Sequence, residues 1–391
     1  MSVPTLAGPP TLAGPASSPV SVKDQVASNK QHRVLIVVAG GLRDPGGVTR
    51  CMEYLIGSWR GSARPPDYRI IDPRGVGSIA RSPWYFLKAL AAVGREAAAD
   101  RSMIVHANMC EYGSTLRKLP IVCLARLLGA HAVIHLHGAE VKAMFDAWPA
   151  WLRWLFRQSV ARADRIVVLG NSWKEFLCSD VGIRPEQVVI IPNAVPVPAE
   201  PRRASPTERC RVLFLGRLEE RKGAGRLLAA LHSPTMADVD CDVVMAGDGD
   251  VDFYRNMAES LGLRDRVRFT GWLDRPAVVE LMATSDVLVL PSLNEGLPMA
   301  ILEAMANGLA VVTTPVGAIT DVIREEETGL LVPPGDAAAL ASALRRVVID
   351  PELRCRLGQQ ARSLAQTEFD IASYGDRFIV LYDEVSRKLP F

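Results

Sequence analysis

The sequence predicts an α/β protein built from two doubly wound domains that face each other across a cleft. Short runs rich in β-branched residues alternate with helix-length segments along most of the chain. These runs are nearly continuous in apolar residues, which is typical of parallel strands covered by helices on both faces. With 391 residues the chain is also too long for one ordinary core and suits two domains.

The predicted strands fall into two groups separated by a polar, proline-rich connector at Pro196–Pro206. The first group is Arg33–Val38, Met103–His106, Val133–Leu136, Arg165–Leu169 and Val188–Ile191. The second group is Arg211–Leu215, Asp242–Ala246, Arg266–Thr270, Val287–Leu290, Ala310–Thr313 and Gly329–Val332. We therefore expect a first domain over residues 32–196 and a second over 207–371, with ligands bound in the cleft at the carboxyl ends of the strands.

Residues 1–31 are expected to form a disordered tail. The hexapeptide Pro-Thr-Leu-Ala-Gly-Pro occurs there twice in tandem, and no apolar run follows a basic start as in a secretory signal. Such a segment buries too little surface to offset the entropy of ordering it.

Composition narrows the class of protein. A formal net charge of +2 carries no polyanion signature, so we expect no nucleic-acid partner. The seven cysteines are scattered singly without metal-ligand spacing, which predicts reduced thiols in a cytoplasmic protein and no structural zinc. The most apolar later stretch, Leu119–Gly138, contains Arg126 and three histidines and is not expected to span a membrane.

The most informative segment follows the strand Val287–Leu290. A loop carries Glu295 and Gly296, Pro298 suits the start of a helix and Gly308 its end. The amides and positive dipole end around Gly296–Met299 predict a site for a diphosphate or its sugar. Glu295 can accept hydrogen bonds from sugar hydroxyls and Glu303 from a ribose diol. The alternative is that Glu303 lies on a solvated helix face and Glu295 is a loop charge.

A second segment, Gly216–Gly223, lies where a predicted strand meets a helix. Arg217 and Lys222 can neutralise a diphosphate and stabilise it as it departs. The alternative is surface salt bridging to Glu219 and Glu220.

Two weaker features lie in the first half. Gly46 and Gly47 lack the full dinucleotide fingerprint, and a glycine pair that lets a phosphate or sugar approach is about as plausible as a plain loop. His135 and His137 face the same side of a strand. His137 is the better functional candidate, as a hydrogen-bond donor or orienting group, and His135 is expected to be packed.

The stretch Trp148–Gln158 predicts an aromatic, amphipathic helix. Trp151, Leu152 and Leu155 share one side, while Arg153 and Arg157 project from another. It suits contact with an anionic membrane surface. The alternative, slightly favoured, is that its apolar side covers the sheet.

Together these segments resemble the retaining GT-B glycosyltransferases of family four, also called group-one glycosyl transferases, of the bacterial polysaccharide type. The resemblance runs from about Arg33 to the C-terminus, and the Glu295/Glu303 pair is its most specific element. The motifs that carry it are Gly46-Gly47, His137-Gly138, Gly216-Arg217-Leu218, Lys222-Gly223, Ala246-Gly-Asp-Gly249, Phe269-Thr-Gly271 and Glu295-Gly-Leu-Pro298 with Glu303.

The resemblance implies the GT-B fold, two Rossmann-like domains, with a C-terminal helix at about Ala372–Lys388 that crosses back to the first domain, so that 372–391 joins it. It implies catalytic roles for His137, Arg217, Lys222 and Glu295. It implies donor binding by Gly46, Gly47, Gly216, Arg217, Lys222, Leu273, Asp274, Glu295, Gly296, Leu297, Pro298, Met299 and Glu303. No metal or other cofactor is expected beside the nucleotide-sugar.

The expected function is transfer of a hexosyl unit from a GDP- or UDP-linked sugar to a lipid-linked or saccharide acceptor, with retention of configuration. We expect a role in exopolysaccharide or cell-surface glycan synthesis, in the cytoplasm with possible peripheral contact to the inner membrane. The alternatives are a sugar-nucleotide epimerase of the same fold, a phosphorylase, whose chain is usually far longer, and a non-catalytic nucleotide-sugar-binding scaffold.

Overall fold

The computed structural model describes residues 31–43, 46–75, 77, 79–201 and 209–387. Apart from Gln31, the predicted tail at 1–31 lies outside the described residues, as does the end of the predicted connector.

The first sheet has six parallel strands in the order β2-β1-β3-β4-β5-β6. They are β1 (Arg33–Val37), β2 (Asp67–Ile71), β3 (Ile104–Met109), β4 (His131–Leu136), β5 (Arg165–Val168) and β6 (Val188–Ile190). All five predicted strands are confirmed, and β2 was missed. The reason is that β2 is an edge strand whose first three residues are exposed and whose sequence, Asp-Tyr-Arg-Ile-Ile, is too polar to read as a buried run.

The second sheet is also parallel, in the order β12-β11-β10-β7-β8-β9. Its strands are β7 (Cys210–Leu215), β8 (Cys241–Ala246), β9 (Val267–Gly271), β10 (Val287–Leu290), β11 (Ala310–Thr313) and β12 (Leu330–Leu331). All six predicted strands are confirmed. Their apolar runs are buried because helices flank the sheet.

Helices connect the strands in both halves. The first half contains α1 (Gly47–Trp59), α2 (Ser82–Ala99), α3 (Gly113–Leu127), α4 (Val141–Ala147), α5 (Ala150–Val160) and α6 (Asn171–Glu175). The rest of the described chain contains α7 (Ala224–His232), α8 (Val251–Ser260), α9 (Arg275–Ala283), α10 (Met299–Asn307), α11 (Ala337–Ile349), α12 (Pro351–Glu368) and α13 (Ile371–Arg387). The fold is therefore α/β with two Rossmann-like halves, as predicted.

The last helix returns to the first half of the chain. The helix implied at Ala372–Lys388 is α13, and it packs against α1. Tyr374, Phe378 and Tyr382 of α13 are fully buried, and the Tyr382 hydroxyl lies 2.7 Å from His106 Nδ1 on β3. The C-terminal helix thus closes the core of the first sheet.

The helix predicted around Trp148–Gln158 is present as α5, and its large apolar side chains are divided between the interior and the surface. α5 buries Phe156, Ser159 and Val160, whereas Trp151 and Trp154 are 65% and 62% exposed. The alternative therefore holds for one face of the helix, which buries Phe156 and Val160, but not for Trp151 and Trp154, which face away from the interior. In the described part of the chain, no helix is both long and apolar enough to cross a membrane.

Candidate active site in the cleft

A cavity of about 510 Å³ lies between the two halves, at the carboxyl ends of both sheets. Every sequence-predicted site residue except Asp274 lines it: Gly46, Gly47, His137, Gly216, Arg217, Lys222, Leu273, Glu295, Gly296, Leu297, Pro298, Met299 and Glu303. Asp274 is placed differently, because its carboxylate caps α9 by accepting a hydrogen bond from the Ala277 amide at 3.0 Å. The prediction that Asp274 lies against the donor finds no support in this placement.

Lys222 and Glu295 form a buried ion pair at the centre of the cavity wall. Lys222 Nζ donates to Glu295 Oε1 at 2.5 Å, and Ser292 Oγ donates to the same oxygen at 2.7 Å. The Glu295 side chain is only 5% exposed. Glu295 is therefore not an exposed loop charge. Lys222 pairs with Glu295 and not with Glu219 or Glu220.

Arg217 is the exposed cation of this wall. Its guanidinium lies 3.6 Å from Glu219 and 3.8 Å from Asp248, both loose contacts, and its side chain is 60% exposed. Arg221 also lines the cavity, but its guanidinium is held by hydrogen bonds to the Asn294 carbonyl and to Glu219. An anion in the cavity can therefore recruit Arg217 without breaking a buried interaction.

Glu303 joins the two halves of the chain. Arg50 Nη1 lies 3.1 Å from its carboxylate, and the Tyr54 hydroxyl donates to it at 2.8 Å. Burial, together with the charge of Glu303, raises the pKa of the Tyr54 phenol, which therefore stays a hydrogen-bond donor. The solvated helix face considered for Glu303 is thus wrong, because α1 covers that side of α10.

Two glycines let the backbone close tightly around the Glu295 loop. A Cβ on Gly296 would lie 2.7 Å from the His137 carbonyl oxygen, so only glycine allows this approach between the halves. Gly317 has φ +59, and a Cβ added at this position would collide with the Glu295 carbonyl. The loop that carries Glu295 is therefore held from both sides.

His137 directly follows β4 and lines the cavity, and its neutral form is strongly favoured. Burial, with smaller effects of His106 and Lys118, lowers its pKa to about 3. Its Nε2 lies 2.9 Å from Asn108 Oδ1, which can only accept, so Nε2 donates and Nδ1 is left as an acceptor. His135 is fully buried against His137 and His106, as expected of a packed residue.

Two helix N-termini point their free amides at the cavity. α10 begins at Met299, directly after Pro298, and Gly308 ends it with φ 77, as predicted. α1 begins at Gly47 with Gly46 as its N-cap. Their positive ends favour an anionic ligand.

Several residues around the site could not be chosen from the sequence. No local motif marks Arg50, Tyr54 or Asn108, because the residues to which they hydrogen-bond lie far away in the chain. Asn193, which donates to the Leu297 carbonyl at 3.0 Å, did carry a signal, because it follows β6 as the other site residues follow their strands. No group of three or more potential metal ligands occurs in the described residues.

Comparisons with known proteins agree with this architecture. Residues 28–197 match the family model described as Glycosyltransferase Family 4, and residues 199–364 match Glycosyl transferases group 1. Among solved structures, HepE from Anabaena in complex with UDP and glucose has a TM-score of 0.72 at 18% identity, covering 90% of this chain and 100% of that one. Sucrose-phosphate synthase from Thermosynechococcus elongatus has a TM-score of 0.71 at 20% identity, covering 90% and 99%.

Relatives in sequence are glycosyltransferases with varied acceptors. Alpha-D-kanosaminyltransferase of Streptomyces kanamyceticus is 27% identical over 72% of this chain and 77% of its own length. D-inositol 3-phosphate glycosyltransferase of Corynebacterium glutamicum is 30% identical over 58% of this chain and 59% of its own. Phosphatidyl-myo-inositol mannosyltransferase of Mycolicibacterium smegmatis is 35% identical over 46% of this chain, which spans about half its length. The chain therefore consists of a domain that matches Glycosyltransferase Family 4 followed by a domain that matches Glycosyl transferases group 1, and its fold is the GT-B fold of its structural neighbours.

Proposed function

We propose that the protein transfers a hexosyl unit from a GDP- or UDP-linked sugar to a lipid-linked or saccharide acceptor, with retention of configuration. The observation that carries this is the wall of Lys222, Arg217 and the α10 N-terminus facing one cavity. Two cations and a helix dipole suit a nucleoside diphosphate as ligand and as leaving group. The structural neighbour HepE, solved with UDP and glucose, supports a nucleotide-sugar donor.

In the proposed reaction, the acceptor hydroxyl oxygen bonds to the anomeric carbon of the sugar while the bond from that carbon to the diphosphate breaks. The hydroxyl proton passes to solvent water, and the nucleoside diphosphate departs with its negative charge held by Arg217 and Lys222. Glu295 and the Gly296–Met299 backbone hold the sugar, and Glu303 holds the ribose. Retention rests on the family resemblance.

The donor is identified by a panel of UDP- and GDP-sugars. We expect one nucleoside diphosphate to raise the melting temperature, and its sugar to be transferred or slowly hydrolysed with release of that diphosphate. Release of an epimerised nucleotide-sugar would support the epimerase instead. Binding without any turnover would support the non-catalytic scaffold. The anomeric configuration of the product, read by proton NMR, tests retention.

The acceptor and location are proposed from an exposed apolar surface on the first half of the chain. Trp151, Trp154 and Leu155 of α5 are exposed beside the cations Arg153 and Arg157. Each basic residue near an anionic leaflet contributes about 1 kcal/mol, and exposed tryptophans add apolar area. We infer weak, salt-sensitive docking on the cytoplasmic face of the inner membrane, where exopolysaccharide or cell-surface glycan precursors are lipid-linked.

Co-sedimentation with anionic liposomes tests this docking. Binding is expected at low salt and should fall at high salt, in the double variant Arg153→Glu with Arg157→Glu, and in Trp151→Ser. Phe253→Ser is the matched control, because Phe253 is equally exposed on α8 in the second half. Docking is excluded if liposomes are not bound at low salt, or if the two charge reversals leave binding unchanged.

A further inference from the structure

A second cavity of about 460 Å³ adjoins the donor cavity on the side of the first sheet. The two cavities share lining residues at the start of α1 and at the end of β3: Gly46, Gly47, Val48, Cys110 and Glu111. The second cavity extends from there to the first turns of α2 and α3. A molecule bound in it can reach the sugar bound in the first.

The lining of this second cavity is strongly cationic, with Arg74, Arg117 and Lys118 all on its wall. Lys118 is 2% exposed, and its Nζ donates to Ser114 Oγ at 2.8 Å. Among the described residues, no carboxylate forms an ion pair with Lys118 or Arg117. The buried Nε of Arg117 also lacks a hydrogen-bond partner there.

Buried cations without an acidic partner are costly, and proteins normally pair them. Burial lowers the pKa of Lys118 to about 8, which still leaves it mostly protonated at neutral pH. The positive N-terminal end of α3, which starts at Gly113, adds to the same field. Asp72 and Glu111 act on Lys118 without forming an ion pair with it, and an anionic ligand can supply that direct contact.

Glu111 lies where the two cavities meet. Its Oε2 is buried and has no hydrogen-bond partner in the described chain. Gly138 makes the space for it, since a Cβ there would collide with that oxygen. Because Glu111 lines both cavities, its carboxylate can accept a hydrogen bond from a hydroxyl group that faces the donor sugar.

We propose that the acceptor carries an oxyanion, a phosphate ester or a carboxylate, which binds to Arg74, Arg117 and Lys118, while its reacting hydroxyl donates to Glu111. This rests on the proposed glycosyl transfer for the role of the hydroxyl. The site for the oxyanion stands on the second cavity alone, so the two can be tested apart.

The oxyanion site is tested by calorimetric titration of inorganic phosphate into protein saturated with UDP or GDP, whichever raises the melting temperature. Saturation blocks the donor diphosphate site. Lys118→Met, which keeps the length of the buried side chain, and the milder Arg117→Gln should each weaken phosphate binding by at least about tenfold, the scale of a lost charge-assisted hydrogen bond. Arg264→Gln, an equal loss of charge at an exposed position, should leave it unchanged.

The two sites are separated by a reciprocal pair of variants. Lys222→Ala should weaken nucleotide binding, whereas Arg117→Gln should weaken phosphate binding and keep nucleotide binding. Failure of nucleotide binding in the wild type would overturn the proposed function and not this site. Phosphate binding that is absent in the wild type, or unchanged in both Lys118→Met and Arg117→Gln, would overturn the site.

Competition identifies the source of the oxyanion. A hexose 6-phosphate and vesicles of phosphatidylcholine with phosphatidic acid are each titrated against bound phosphate. Displacement by the sugar phosphate indicates a soluble acceptor, and displacement by the vesicles indicates a lipid-linked one. Displacement by neither contradicts an acceptor role. Glu111→Gln should lower transfer while leaving nucleotide and phosphate affinity intact, and unchanged transfer would remove Glu111 from the proposal.

The affinity of the oxyanion site for inorganic sulfate should fall as the pH rises above about 8. The charge of sulfate itself does not change between neutral pH and pH 9.5. Lys118 is protonated below that pH and loses its charge above it, so the attraction is present at lower pH and lost at higher pH. Burial raises the pKa of the Cys110 thiol above its ordinary value. The groups that act on Lys118 are Cys110, Arg117, Asp72 and Glu111. A flat profile to pH 9.5 would contradict the role of Lys118.

Discussion

Replacing Lys222 by Met should cost both stability and activity, and a second substitution should restore only stability. In Lys222→Met the Glu295 carboxylate, 5% exposed, keeps only the hydrogen bond from Ser292. Removing one partner of a buried pair costs about 3–5 kcal/mol, and the partial exposure of Lys222 favours the lower end. At roughly 2–4 °C per kcal/mol for a domain of this size, a loss of about 3 kcal/mol should lower the melting temperature by about 6–12 °C.

Adding Glu295→Gln removes the uncompensated charge and keeps an acceptor for Ser292, so most of the lost melting temperature should return. Turnover should stay at least about 100-fold below wild type in the single and the double variant, because no cation replaces Lys222 at the diphosphate. Differential scanning calorimetry and steady-state transfer assays measure the two effects.

The matched control is Lys142→Met, which breaks the exposed ion pair with Asp180 and should cost less than about 1 kcal/mol. A double variant with transfer within tenfold of wild type would refute the catalytic role. A Lys222→Met protein that melts with the wild type would refute the energetic argument.

Three further predictions follow from the site. Gly317→Ala should destabilise the protein well beyond Gly262→Ala, because both have positive φ but only Gly317 lacks room for a Cβ, against the Glu295 carbonyl; equal melting temperatures would contradict this. Glu303→Gln should raise KM for the donor by about tenfold with little change in kcat, if its carboxylate binds the ribose; an unchanged KM would exclude that contact. Transfer should survive EDTA, since no carboxylate cluster is expected to hold a divalent ion; full loss restored by magnesium or manganese would contradict this.

The order of the elements and the edge of the sheets that carries the site could be predicted from the sequence. Strands such as Val287–Leu290 and Ala310–Thr313 have apolar runs that only a doubly covered parallel sheet buries, and their bounds agree with the structure. Polar residues in the segments that follow strands, such as His137, Lys222 and Glu295, were therefore expected at one edge. β2 was not predicted, because an exposed edge strand needs no apolar run.

The partners of those residues were decided only by the tertiary structure. Glu303 bonds Arg50 and Tyr54 across roughly 250 positions, and no local pattern records such a distant contact. Local periodicity likewise predicted that α5 is amphipathic, but it did not predict which side of the helix the neighbouring elements cover. The spacing of apolar residues is set by the geometry of a single helix or strand, so it can be recognised in the sequence. Charge pairing and exposure depend on which elements pack against one another, so only the tertiary structure decides them.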